Sequence, residues 1–145
     1  MNEIEILYND IIMDHSVMSV NKKELNDSTD SSCGVNPSCG DEITLKLKIE
    51  ENIIVDAAFS GKGCAISISS TSIMIDLIKG KTLEEAKEVI RKFDLMIDNK
   101  SDDALLEELE EAIAFENISK MPARIKCATL PYRTLEKMIA SHEIK

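Results

Sequence analysis

The sequence predicts an α+β fold, a small three-stranded antiparallel sheet packed against several helices. Two patterns carry that prediction. Between Glu42 and Phe59 apolar and polar residues alternate with the period of a strand, and on both sides of this stretch apolar residues recur at the spacing of amphipathic helices. Strands and helices grouped in this way imply separate layers around one core. A length of 145 residues fits one domain spanning 1–145.

Taken in order, Ile4, Leu7, Tyr8, Ile11, Ile12 and His15 form a helical stripe and predict a helix over residues 3 to 15. His15 falls at its end, where it caps or packs. Residues 16–40 lose all periodicity and gather Asn, Ser, Asp and Gly, so a mobile loop is expected there. Ile43, Leu45, Leu47 and Ile49 then share one face of a strand. After a polar turn at Glu50-Glu51-Asn52, Ile53, Val55, Ala57 and Phe59 alternate again, which predicts an antiparallel hairpin. A third short strand is expected after Gly63.

Ser67 to Lys79 is apolar nearly all round at its end and predicts a buried helix closed by Gly80. Thr82 with Glu85 is a capping-box signature for a helix that buries Ala86, Val89, Ile90, Phe93 and Ile97 and ends near Asp98-Asn99. Leu105, Leu106, Leu109, Ala112 and Ile113 mark a short helix in an acidic segment. Pro122 suits the first turn of the last helix, whereas Pro131 has no N–H for the Cys127 carbonyl and is expected to kink or break it. His142, near the end, is expected in solvent.

Composition narrows the function. Hydrophobic residues make up 43% of the chain and charged residues 30%, the balance of a globular protein. A net charge of -10, with no basic run interleaved with aromatics, argues against nucleic acid as a ligand. The acidic start Met1-Asn2-Glu3-Ile4-Glu5 is unlike a secretory signal, and no segment approaches a membrane span, so a cytoplasmic protein is expected. Its four cysteines are too few for a disulfide scaffold and stand as free thiols.

Three of those thiols sit at the ends of elements: Cys39 before the first strand, Cys64 after the hairpin, and Cys127 on the last helix. Glycines beside Cys39 and Cys64 admit positive φ or close backbone approach. Three thiolates with the carboxylate of Asp41 are a plausible tetrahedral set for zinc. Their wide spacing is unlike the close pairs of structural zinc sites, and spacing alone leaves open whether they share a site or are separately buried. Such a set would carry excess negative charge, for which Arg124 and Lys126 are the nearby cations; Arg124 could form a two-pronged pair with Asp41 or equally stand as a solvated helix charge.

At these motifs the chain resembles the U-type iron-sulfur cluster assembly family. The resemblance runs through Leu7-Tyr8 with Ile12-Met13-Asp14-His15, through Asn36-Pro37-Ser38-Cys39-Gly40-Asp41, through Gly61-Lys62-Gly63-Cys64-Ala65-Ile66-Ser67, and through Met121-Pro122-Ala123-Arg124-Ile125-Lys126-Cys127-Ala128-Thr129-Leu130. It implies that Cys39, Asp41, Cys64 and Cys127 converge as metal ligands. Lys126-Cys127, where the scaffold branch carries His-Cys, and the additional acidic helical region resemble the branch that works with the sulfur-mobilisation cysteine desulfurase. That branch implies zinc as cofactor and a cysteine desulfurase as partner, whose persulfide passes to a cysteine of the metal site; Cys39, on its loop, is the expected acceptor, freed when the partner displaces one ligand. Downstream partners would be iron-sulfur assembly or acceptor proteins. One alternative is a scaffold that assembles iron or a [2Fe-2S] cluster on the same ligands, and another is a structural metal domain that only mediates protein contacts.

Two departures stand out. The family's Asn-Pro-rich stretch after the first helix is here Ser16-Val17-Met18-Ser19-Val20, and Cys33 has no counterpart in the motifs, which leaves it as a spare thiol on the loop.

Overall fold

Alternation in the central strand translates directly into burial. In the computed structural model, which describes residues 9–144, Asp41–Glu50 is a strand whose Ile43, Leu45, Leu47 and Ile49 are all buried. It lies between two others, so the sheet is β1 (Asp30–Asn36), β2 (Asp41–Glu50) and β3 (Ile53–Lys62) in that spatial order, antiparallel throughout. Around it run α1 (Asp10–Val17), α2 (Ala65–Ile78), α3 (Leu83–Ile97), α4 (Asp103–Glu108) and α5 (Pro122–Glu143). Two 3-10 turns, Glu110–Phe115 and Ile118–Lys120, connect α4 to α5. The expected α+β class with a three-stranded antiparallel sheet is what the chain adopts.

The third strand is not where the sequence placed it. No strand follows Gly63; Cys64 is instead the N-cap of α2, and the additional strand, β1, lies inside the stretch expected as loop. β1 pairs with β2 so that Asp30, Ser32, Gly34 and Asn36 stand opposite the buried row of Leu47, Leu45, Ile43 and Asp41. Their side faces α5, where Gly34 leaves no room: a Cβ there would lie 2.2 Å from Thr134 Oγ1. Ser31, Cys33 and Val35 are exposed on the other face.

The hairpin turn places Glu51 at φ 52 and Asn52 at φ 63, the paired positive angles of the tight turns that match strand twist. The register slips between Lys48 and Ile49, so Val55 becomes an extra residue on β3 and is 41% exposed while Ile54 is fully buried. The expected inward face of Ile53 and Val55 is therefore reversed at this end, the usual effect of a bulge. Ala57 and Phe59 face inward as the alternation requires.

α2 is buried along nearly its whole length. Its hydroxyls are satisfied locally, Ser69 donating to the Ala65 carbonyl at 2.6 Å and Thr71 to the Ser67 carbonyl at 2.7 Å, while Ser70 donates across to the Ala128 carbonyl on α5. α3 starts with the expected capping box, Glu85 N–H donating to Thr82 Oγ1 at 3.1 Å and Thr82 N–H to Glu85 Oε1 at 3.0 Å. The expected helix around Leu105–Ile113 is divided between α4 and the first 3-10 turn.

α5 runs unbroken through Pro131. The lost backbone bond to the Cys127 carbonyl costs about 3 kcal/mol. Burial of Tyr132, Leu135, Met138 and Ile139 on the same helix outweighs it, with Tyr132 stacked on Phe93 of α3 at 3.8 Å between ring centroids. Within the described residues α1 covers the later part of the expected first helix and runs on to Val17; Ile4, Leu7 and Tyr8 lie outside the described residues. His142 is not in free solvent, because its Nδ1 lies 3.1 Å from Asp30 Oδ2. Among the described residues no helix is long and apolar enough to cross a membrane.

Candidate metal centre

The β1–β2 connection, the N-terminus of α2 and the first turns of α5 meet at one end of the sheet. Asn36 closes β1, and a tight turn through Pro37 and Ser38 brings the Cys39 N–H to the Asn36 carbonyl at 3.3 Å. Gly40 follows at φ 70, a left-handed angle that glycine adopts without strain, and Asp41 re-enters the sheet buried to 1% exposure. Here the glycine serves backbone angle, since no atom lies within 4 Å of a Cβ at that position. Gly63 serves the opposite need, because a Cβ there would meet Ser67 Oγ at 2.3 Å and Asp41 Oδ1 at 2.8 Å.

Asp41 is held at both oxygens. Oδ1 accepts from the Cys64 N–H at 2.9 Å and from Ser67 Oγ–H at 2.9 Å, and Oδ2 accepts from Asn36 Nδ2 at 3.2 Å. The Cys64 amide is the first of the orphan donors at the α2 N-terminus, where an anion is favoured. Asn36 also reaches Cys127 Sγ at 3.5 Å, so one buried amide touches the carboxylate and a thiol together.

Cys127 is fully buried on α5 and its S–H donates to Cys39 Sγ at 2.9 Å. That separation exceeds a disulfide bond of about 2.05 Å, and all four cysteines are free. Burial pushes the Cys127 thiol well above its ordinary pKa, with the bond to Cys39 and the nearby Cys64 and Asp41 acting in the same direction. Arg124, one turn earlier, donates to Cys39 Sγ at 3.7 Å. Burial alone would lower the Arg124 pKa, but the facing thiols of Cys64, Cys127 and Cys39 hold its guanidinium above the ordinary value.

The ligand atoms of Cys39, Asp41 and Cys127 all lie within 4.8 Å of one another. Cys64 stands beside this trio, its backbone bound to Asp41 and its thiol donating to Ser67 Oγ at 3.8 Å. Two thiols and a carboxylate in mutual reach, with a third thiol adjacent, match the donor chemistry of a tetrahedral zinc site. Arg124 faces the thiols instead of pairing with Asp41, and Lys126 is exposed with no ion pair among the described residues. Reading the sequence for donors missed Asn36 and Ser67. Both lie inside the two cysteine motifs, three residues before Cys39 and three after Cys64.

Residues 7–145 match the family model of the NifU-like N-terminal domain. The chain belongs to this family. Among relatives, it is 43% identical over 97% of its length to the zinc-dependent sulfurtransferase SufU of Bacillus subtilis, covering 94% of that protein. It is also 35% identical over 93% of its length to the iron-sulfur cluster assembly scaffold protein IscU of Thermotoga maritima, covering 94% of it. Among solved structures, the SUF-system protein FiSufU of Fervidobacterium islandicum superposes with a TM-score of 0.86 at 37% identity, over 93% of this chain and 98% of that one. The sheet and helices described above are thus those of the NifU-like family.

Proposed function

We propose that this chain is an iron-sulfur cluster assembly protein that accepts persulfide sulfur from a cysteine desulfurase at Cys39, with Cys39, Asp41, Cys64 and Cys127 holding a zinc ion. The observation that carries the reading is the convergence on Cys39 Sγ of two donors, the Cys127 thiol at 2.9 Å and the Arg124 guanidinium at 3.7 Å, at the least buried member of the trio. Similarity over nearly the whole chain to a zinc-dependent sulfurtransferase supports the choice of metal and reaction. Bound zinc keeps coordinating thiols deprotonated.

The Cys39 thiolate attacks the outer sulfur of the desulfurase persulfide. A new S–S bond forms at Cys39, the old one breaks, and the desulfurase cysteine leaves as a thiolate, so no external oxidant or reductant is consumed. Arg124 faces the sulfur on which charge sits before attack, and Asn36 holds Asp41 and Cys127 in place. A reducing cytosol keeps these thiols open. Iron-sulfur assembly or acceptor proteins then receive the sulfur.

Incubation with a cysteine desulfurase and cysteine, followed by mass analysis, tests the reaction. The wild-type chain should gain 32 Da, about one sulfur, at Cys39. Cys39→Ser should gain none while its circular dichroism stays native; full acceptance by that variant would refute the assignment. A second reading, a scaffold for a [2Fe-2S] cluster, draws support from the similarity to scaffold proteins named IscU. A visible absorption band with bound iron in freshly purified protein would select it over colourless zinc.

A further inference from the structure

Away from the thiols, α1, α2 and the first 3-10 turn bring together His15, Asp76 and Glu111, whose ligand atoms lie within 4.8 Å of one another. The geometry points to a second divalent-cation site at this trio, taking a first-row ion that accepts mixed nitrogen and oxygen donors, such as Mn²⁺ or Fe²⁺.

Three observations support it. The first is orientation from behind. Nδ1 of His15 lies 2.7 Å from Ser72 Oγ, which directs the other ring nitrogen, Nε2, toward the carboxylates, and Asn21 Nδ2 donates to Asp76 Oδ1 at 3.0 Å. Ser72 and Asn21 are each only 1% exposed and are themselves joined, Asn21 Nδ2 donating to the Ser72 carbonyl at 2.9 Å. Two ligands thus each rest on a buried polar partner, the outer-shell support that metal ligands characteristically have.

The second is charge. Two carboxylates are held close together in a chain of net charge -10, and among the described residues neither pairs with a lysine or arginine. Among the described residues the basic side chain paired with them is the imidazole of His15, whose Nε2 lies 3.2 Å from Glu111 Oε1. A divalent ion offsets both carboxylates and uses the imidazole as a neutral donor.

The third is donor type and position. One imidazole and two carboxylates suit Mn²⁺ or Fe²⁺, whereas the thiol centre suits zinc, so the two sites sort ions by softness. At a rise of 1.5 Å per residue, Asp76 lies about 18 Å along α2 from Cys64, too far to share an ion. Asp76 and Glu111 are exposed, leaving the ion's remaining positions open to water.

Titration of Mn²⁺ into the full-length protein, with its thiol centre intact, tests the site through paramagnetic broadening of backbone amide signals. Signals around residues 15, 76 and 111 should broaden first and saturate near one ion per chain. Asp76→Asn and Glu111→Gln, both at exposed positions, should each weaken binding at least roughly tenfold. The inference is overturned by broadening centred on the thiols, by diffuse broadening without saturation, or by wild-type affinity in both variants, any of which leaves the trio an ion-pair contact between α1 and its neighbours.

Discussion

Adding one methyl group at Gly63 probes the candidate centre without removing any ligand. A Cβ there would stand 2.3 Å from Ser67 Oγ and 2.8 Å from Asp41 Oδ1, closer than real Cβ contacts come. Relief requires Ser67 to swing away, which breaks its 2.9 Å bond to Asp41. A hydrogen bond to a charged group contributes about 1.5–3 kcal/mol, and overpacking costs about 1–3 kcal/mol, so Gly63→Ala should destabilise the metal-free protein by roughly 2.5–6 kcal/mol. With a mid-range urea slope of about 2 kcal/mol/M, the unfolding midpoint should fall by roughly 1–3 M. Ser67→Ala alone loses the bond without the clash. In the double variant the methyl occupies space the hydroxyl has vacated, so its cost should be clearly less than the sum of the single costs. Additive costs, or a Gly63→Ala midpoint within error of wild type, would show that the loop yields freely and that Asp41 is not held by this packing.

Two further outcomes follow from side chains outside the centre. The Tyr132 hydroxyl is buried without a hydrogen-bond partner among the described residues, and burial pushes its pKa up with Asp94 adding to the effect. Tyr132→Phe keeps the stack on Phe93 and removes that unsatisfied group, so it should stabilise by about 1 kcal/mol and raise Tm by about 2–4 °C in calorimetry; a loss of stability would contradict the assignment. Cys33 is exposed on the face of β1 turned away from Asp41, so Cys33→Ser should leave bound zinc per chain unchanged while removing one thiol that reacts readily with iodoacetamide. A drop in zinc content would place Cys33 in the centre.

Where one face of an element buries apolar side chains, the sequence could be read directly. β2 and α3 are such elements, and the capping box at Thr82 and Glu85 marked the start of α3 to the residue. β1 offered no such signal: Asp30, Ser32, Gly34 and Asn36 face inward, and Ser31, Cys33 and Val35 face outward, so neither side repeats an apolar residue. Pairing with β2 and packing against α5 make it a strand, a tertiary effect that local propensity does not register. Continuity of α5 across Pro131 is likewise decided by the burial of Tyr132 and Leu135 around it. At the centre, residue chemistry pointed to thiols and a carboxylate, but only the fold reveals that Asn36, Ser67 and the Cys64 amide bond to Asp41: Ser67 and Cys64 reach it from beyond the hairpin, and Asn36 meets it across the turn between β1 and β2.

The polar character that concealed β1 suits its position. It is a margin strand, paired on one side by β2 alone among the described residues. A margin strand rich in valine and isoleucine would invite a second molecule to extend the sheet, whereas serines and an aspartate make such an extension unrewarding. The segment that turns into Cys39 can therefore remain open to solvent beside the thiols without becoming a seed for self-association.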